Sequence, residues 1–252
     1  MLQPIVGILP DFCLGSKEKG YSAYNYYALR QNYVDAINQN GATALILTYN
    51  YQAIEQYLSL IDGLLIVGGN MDIHPNRYQE PEIHPKTKLN LTRENFEFHL
   101  VSEAVKNQKL PIFGICNGMQ LLSILHQGKI IQHIPDNPNF INHEQSSLPD
   151  FANYQPYHQI NINQQSKLAK IVQETSFLVN SSHHQAVQST NLAVSATSSD
   201  GIIEAVEDIN RDFYLGVQWH PEFLTNQHDN KIFQSFVLAC QNYQQNKLCQ
   251  NQ

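Results

Sequence analysis

Cys116 stands between two glycines, in Gly114-Ile115-Cys116-Asn117-Gly118, and is the residue of this 252-residue chain best placed to act as a nucleophile. An apolar run bounded by Pro111 precedes it, and a new apolar period at Met119, Leu121, Leu122 and Leu125 follows. The pattern reads as a buried strand turning abruptly into a helix, with the cysteine at the apex. So tight a turn strains the apex residue and leaves room only for small neighbours. At a helix start the sulfur also gains from the positive end of the helix dipole, which favours the attacking thiolate. A cysteine that merely filled the core would not need glycines on both sides.

A thiolate nucleophile requires a base, and the base a group that orients it. The apolar run ending Gly216-Val217-Gln218-Trp219 leads straight into His220-Pro221-Glu222. Pro221 fixes φ and stops the strand, so His220 sits at a strand end, where it can face the cysteine. Glu222, two residues on, can accept from the far ring nitrogen, which makes Cys116, His220 and Glu222 a candidate triad. Two further stretches are polar. Gly68-Gly69 follows the apolar run Gly63–Val67, and glycines after a strand let backbone N–H groups approach a ligand. Ser181-Ser182-His183-His184-Gln185 contains adjacent histidines. Side chains at i and i+1 diverge and no carboxylate or cysteine lies at ligand spacing, so a substrate-lining loop is expected and a metal is not.

These residues need elements to hold them. Apolar runs at Ile5–Leu9, Thr43–Leu47 and Gly63–Val67 alternate with helical periods at Tyr26–Asn40 and Ala53–Leu60, which predicts a doubly wound parallel sheet. A further helix carries Glu94, Phe96, Glu97 and Leu100 toward the cysteine strand. Beyond the cysteine helix, strands are expected at Tyr157–Ile162, Phe177–Asn180, Leu192–Ala196, Ile202–Val206 and Tyr214–Gln218, with Asp200-Gly201 as a hairpin turn. A closing helix runs from Asp229 to about Tyr243. Segments 11–24, 70–90 and 135–156 read as loops, the last two as the setters of specificity.

A net charge of −7 without a Lys/Arg cluster excludes an electrostatic nucleic-acid or anionic-membrane surface. The amino terminus lacks a positive n-region and reads as a first strand, no stretch is long and apolar enough to span a bilayer, and the four cysteines show neither metal nor disulfide spacing. The expectation is a single domain over 1–252, in the cytoplasm, acting on a small molecule.

Taken together, the elbow Gly-Ile-Cys-Asn-Gly-Met-Gln, the GGNMDIHPNRY and VNSSHHQAV loops, DGIIEAV and GVQWHPEF resemble the class I glutamine amidotransferase superfamily. Within it they resemble the γ-glutamyl-γ-aminobutyrate hydrolase-like branch, peptidase C26, from about Ile5 to Phe236. The resemblance implies a flavodoxin-like α/β fold with a mostly parallel sheet flanked by helices and extra antiparallel strands. It implies that Cys116 attacks a γ-glutamyl amide, that His220 shuttles the proton and that Glu222 orients it. Backbone N–H groups of Gly69 and Asn117 would meet the oxyanion, and Gln120, Ser182 and His183 would line the substrate site. No cofactor is implied. The partner is a small γ-glutamyl substrate, with no nucleic acid, no membrane, and a homodimer allowed. Two positions depart from the branch: Asn117 stands where it usually has Arg, and Asn90 where it tends to have Asp. Two other readings keep the fold. One is a glutaminase subunit supplying ammonia to a separate synthetase, the other a silent small-molecule binding protein.

Overall fold

Apolar residues on both faces of consecutive strands require cover on both sides, and helices supply it. In the computed structural model, which describes residues 2–18, 21–149 and 154–250, the order is β1 (Ile5–Leu9), β2 (Asp11–Cys13), β3 (Tyr26–Ala28), α1 (Gln31–Gln39), β4 (Thr43–Ile46), α2 (Ile54–Leu60) and β5 (Gly63–Ile66). There follow α3 (Leu91–Ala104), β6 (Ile112–Ile115), α4 (Asn117–Leu125), β7 (Lys129–Ile131), β8 (His158–Ile162), α5 (Lys167–Val172) and β9 (Ser176–Val179). The chain continues through β10 (Ala186–Ser189), β11 (Ala193–Ser198), β12 (Ile203–Glu207), β13 (Tyr214–Val217) and α6 (Gln227–Gln250). Parts of two expected loops, at 19–20 and 150–153, lie outside the described residues.

One sheet runs β4-β1-β5-β6-β13-β12-β11-β8-β9. From β4 to β13 every pairing is parallel, and from β13 to β9 every pairing is antiparallel. Side chains of alternate parity fill two cores. Ile8, Leu65, Phe113 and Ile115 pack with Tyr33 and Ile37 of α1 and Phe233 and Phe236 of α6. Leu9, Leu64, Ile66 and Ile112 pack with Phe96 and Leu100 of α3 and Met119 and Leu122 of α4. The carboxyl ends of β5, β6 and β13 therefore lie side by side, the edge at which doubly wound sheets bind ligands.

The expected helix from Tyr26 begins later. Residues Tyr26–Ala28 pair antiparallel with Asp11–Cys13, because Tyr27 is drawn into an aromatic cluster with Phe12 and Tyr49. The helix starts only after Arg30, whose backbone is extended. Strand β10, unforeseen, pairs with β12 and β7 and carries the chain out of the Ser181–Gln185 loop.

Candidate active site

Cys116 has φ 53° and ψ −107°, a backbone region that a residue with a Cβ occupies only when its surroundings enforce it. Both flanks do so. A Cβ on Gly114 would stand 2.7 Å from the Gly118 backbone, and one on Gly118 would stand 2.3 Å from the Ile66 carbonyl oxygen. The turn closes against β5 and its own helix, with the Cys116 N–H donating to the Val217 carbonyl at 2.8 Å. The sulfur is thus fixed at the N-terminus of α4, on the wall of a pocket of about 320 Å³.

The structure brings the three candidate triad residues together. His220 Nδ1 and Glu222 Oε1 are 2.8 Å apart, both buried, and the His220 ring and Cys116 meet at Gly68, where an added Cβ would lie 3.0 Å from His220 Cε1 and 3.2 Å from the Cys116 Cβ. Burial alone would push His220 down. The charges of Glu222 and Cys116 outweigh it and hold the imidazole well above its ordinary range, so the proton stays on the ring between a sulfur and a carboxylate.

Three residues that the sequence did not single out hold this arrangement. Asn180, at the end of β9, clamps the His220 backbone: its Nδ2 donates to the His220 carbonyl and its Oδ1 accepts the His220 N–H, each at 2.8 Å. Tyr33, within the helical period expected at Tyr26–Asn40, stands beside the Glu222 carboxylate and accepts the Gly68 N–H at 3.2 Å. Gln218 directs its Nε2 toward the Cys116 sulfur at 3.6 Å and accepts from Gln120 Nε2 at 3.2 Å. With its clamp removed, His220 loses its register against the sulfur, and misplacement of this kind costs on the order of 10–100-fold in rate. Asn180→Ala is therefore expected to lower kcat by that factor with KM little changed and the melting temperature within a few degrees of wild type, as steady-state kinetics and thermal melts will read.

Gly69 and Asn117 line the same pocket as the sulfur. Asn117 is the first residue of α4, where N–H groups have no partner within the helix. A Cβ on Gly69 would fall 1.7 Å from Arg93 Nη1, so any side chain there would displace the guanidinium. Arg93 in turn anchors the loop: it is buried, paired with Glu97 at 2.9 Å and Asp11 at 3.0 Å, and it donates to the Val67 and Gly68 carbonyls. The segment after β1, in which the sequence showed no chemistry, thus holds the arginine that shapes this loop. Both departures have structural uses. Asn90 caps α3 by accepting from the Arg93 N–H, and Asn117 Nδ2 donates to the Met71 carbonyl at 3.0 Å, tying the elbow to the glycine loop.

Gln120 and Ser182 also line the pocket. The Gln120 amide is committed to the Gln185 carbonyl as well as to Gln218, and Ser182 Oγ lies 3.1 Å from the Tyr154 hydroxyl. His183 forms part of the wall, but its Nε2 faces Glu204 at 3.8 Å. His184 diverges from it as expected, toward Asp72 at 3.0 Å. Lys88 and Glu144, exposed and of opposite charge, complete the rim.

Comparison with known proteins adds a family to this geometry. The model of peptidase C26 matches residues 4–222. A glutamine amidotransferase-like protein of Rickettsia prowazekii is 35% identical over 94% of this chain and 98% of its own length. The γ-glutamyl-γ-aminobutyrate hydrolase PuuD of Escherichia coli K12 is 31% identical over 96% of each chain. Among solved structures, a GMP synthase component from Thermoplasma acidophilum superposes with a TM-score of 0.63 at 14% identity, covering 98% of this chain and all of that one, a likeness of fold.

Proposed function

The chain belongs to the peptidase C26 family of the class I glutamine amidotransferase-like superfamily, and from that premise we propose that it is a hydrolase of γ-glutamyl amides that works through a glutamyl-thioester on Cys116. The observation that carries the reading is the imidazole of His220, set between a strained elbow cysteine and a buried glutamate at the carboxyl edge of the parallel strands.

The Cys116 thiolate attacks the γ-carbonyl carbon. The negative charge that develops on oxygen meets the N–H groups of Asn117 and Gly69, each such donor contributing about 3 kcal/mol in the transition state. His220, kept protonated by Glu222, gives its proton to the nitrogen as the C–N bond breaks and the amine leaves. Water then loses a proton to His220 as it attacks the thioester, and the C–S bond breaks to release glutamate and restore the thiolate. Of the charged residues that line the pocket, Lys88 would meet the carboxylate and Glu144 the amino group of the glutamyl end. The relatives that carry the hydrolase name point to γ-glutamyl-γ-aminobutyrate as the substrate.

Incubating the purified protein with γ-glutamyl-γ-aminobutyrate, glutamine and a γ-glutamyl anilide, with free glutamate as readout, tests this. Turnover of the first, well above glutamine and without a second chain, is the expected result. Glutamine hydrolysis appearing only with a synthetase partner would favour an ammonia-supplying role, and no glutamate from any of the three would leave a binding protein.

A further inference from the structure

Behind the pocket wall lies a second cluster of chemistry-bearing side chains. His143 from the loop before β8, His158 at the start of β8, His183 from the loop between β9 and β10, and Glu204 of β12 are all buried, and one donor atom from each lies within 4.8 Å of the others. Glu204 is fully buried, and its only ion-pair partners among the described residues are these imidazoles, at 3.3 Å to His143 Nδ1, 3.5 Å to His158 Nε2 and 3.8 Å to His183 Nε2. Among the described residues, none of these three nitrogens and neither carboxylate oxygen has a hydrogen-bond partner. A carboxylate kept from water without compensation is costly enough that it must be neutralised by a cation or a proton.

The outer nitrogens show which way the rings are set. His143 Nε2 meets Asp200 Oδ2 at 3.1 Å, His183 Nδ1 meets the Gln185 carbonyl at 2.9 Å, and His158 Nδ1 meets the Gln159 carbonyl at 3.4 Å. Each acceptor holds the ring N–H on the outside and leaves a lone pair aimed at the centre, the arrangement that orients histidine ligands around a metal. Metal–ligand bonds of about 2.0–2.2 Å in a tetrahedron place donor atoms about 3.3–3.6 Å apart; the contacts of Glu204 Oε1, at 3.3, 3.5 and 3.8 Å, are already close to that, and the imidazole nitrogens, which lie within 4.8 Å of one another, draw inward as the ion binds.

We propose that His143, His158, His183 and Glu204 bind one zinc ion in a closed, four-ligand structural site. Four protein ligands leave no open position, so the ion ties the segments together and takes no part in bond cleavage. It fastens the loops of His143 and His183, already joined by the His183 N–H to the His143 carbonyl at 3.0 Å, onto β8 and β12. Since His183 also lines the pocket, the ion fixes the wall on which Ser182 stands. Local spacing could not show this, because the carboxylate arrives from a strand twenty residues further along the chain.

The full-length protein, expressed in zinc-supplemented medium and purified without chelator, is submitted to elemental analysis, then stripped with a chelator and titrated with zinc or cobalt chloride. The expected results are one equivalent of zinc per chain, a melting temperature that falls by several degrees on stripping and returns with zinc, and the visible bands of tetrahedral cobalt. Glu204→Gln should abolish retention. Asp200→Asn, which leaves every ligand in place but loosens His143, should weaken binding by about 10–100-fold, while Cys116→Ala should keep the full equivalent. No zinc retained and no thermal response on the wild-type protein would overturn the proposal in favour of a proton shared between His143 and Glu204. Loss of the zinc in Cys116→Ala would place the ion at the thiolate instead.

Discussion

Cys116→Ala is expected to release glutamate from γ-glutamyl-γ-aminobutyrate on the order of 10⁴–10⁶-fold more slowly than the wild type, the loss seen when a nucleophile is removed from a unit whose members act only together. The fold should survive. Cys116 is one small side chain, and the glycines on either side, together with the N–H bond to Val217, hold the elbow whatever atom replaces the sulfur. Relief of the backbone strain at φ 53° is no aid to alanine, which tolerates that region no better than cysteine does. Melting temperature and circular dichroism therefore serve as controls that separate lost chemistry from lost structure. What residual turnover persists measures the pocket and its backbone donors acting on water.

Glu222→Gln should lower kcat on the order of 10³–10⁴-fold. The carboxylate accepts from His220 Nδ1 at 2.8 Å and is fully buried beside Tyr33. A glutamine amide has nearly the same shape but can turn its NH₂ to the ring and select the wrong tautomer, and it carries no charge to favour imidazolium. The sign of the pH effect follows. In the wild type the neighbouring Glu222 and Cys116 outweigh burial and hold His220 well above the ordinary histidine range, so the proton needed by the leaving amine is retained into alkaline solution. Removing Glu222 removes one of those charges, and the alkaline limb of the remaining activity should move to lower pH. A limb in the variant that coincides with the wild type would mean that Glu222 does not set the protonation of His220. Rescue of both rate and limb by Glu222→Asp would separate this electrostatic role from mere packing.

How far the site was legible depended on whether its cause was local. The elbow was, because the steric demand that makes Gly114 and Gly118 obligatory is made by atoms a few residues away or on the next strand. His220 was, because Pro221 ends its strand and Glu222 lies within one turn of the chain. Asn180, Tyr33 and Arg93 were not, since each acts on a residue 25 to 40 positions distant through the order of the sheet. Tyr33 shows the difficulty well: its ring has the helical spacing of a core residue, and only its hydroxyl, reaching Gly68 and Glu222, has a further use. The same applies to Glu204, whose histidines come from three segments that meet because β8, β11 and β12 pair antiparallel. In the fold, the parallel strands were readable as apolar runs covered on both faces. The pairing of β10 with β7 and the short β2–β3 pair were not, because their few residues carry too little alternation to be told from loop.

The thioester is the claim on which the rest depends. Mixing the protein with excess γ-glutamyl anilide, quenching in acid within the first turnovers and measuring intact and peptide mass should show one glutamyl group added to the peptide that contains Cys116, gone once substrate is exhausted and absent from Cys116→Ala. Glutamate released at an undiminished rate by Cys116→Ala, with no glutamyl adduct on the wild type at any time, would contradict the account.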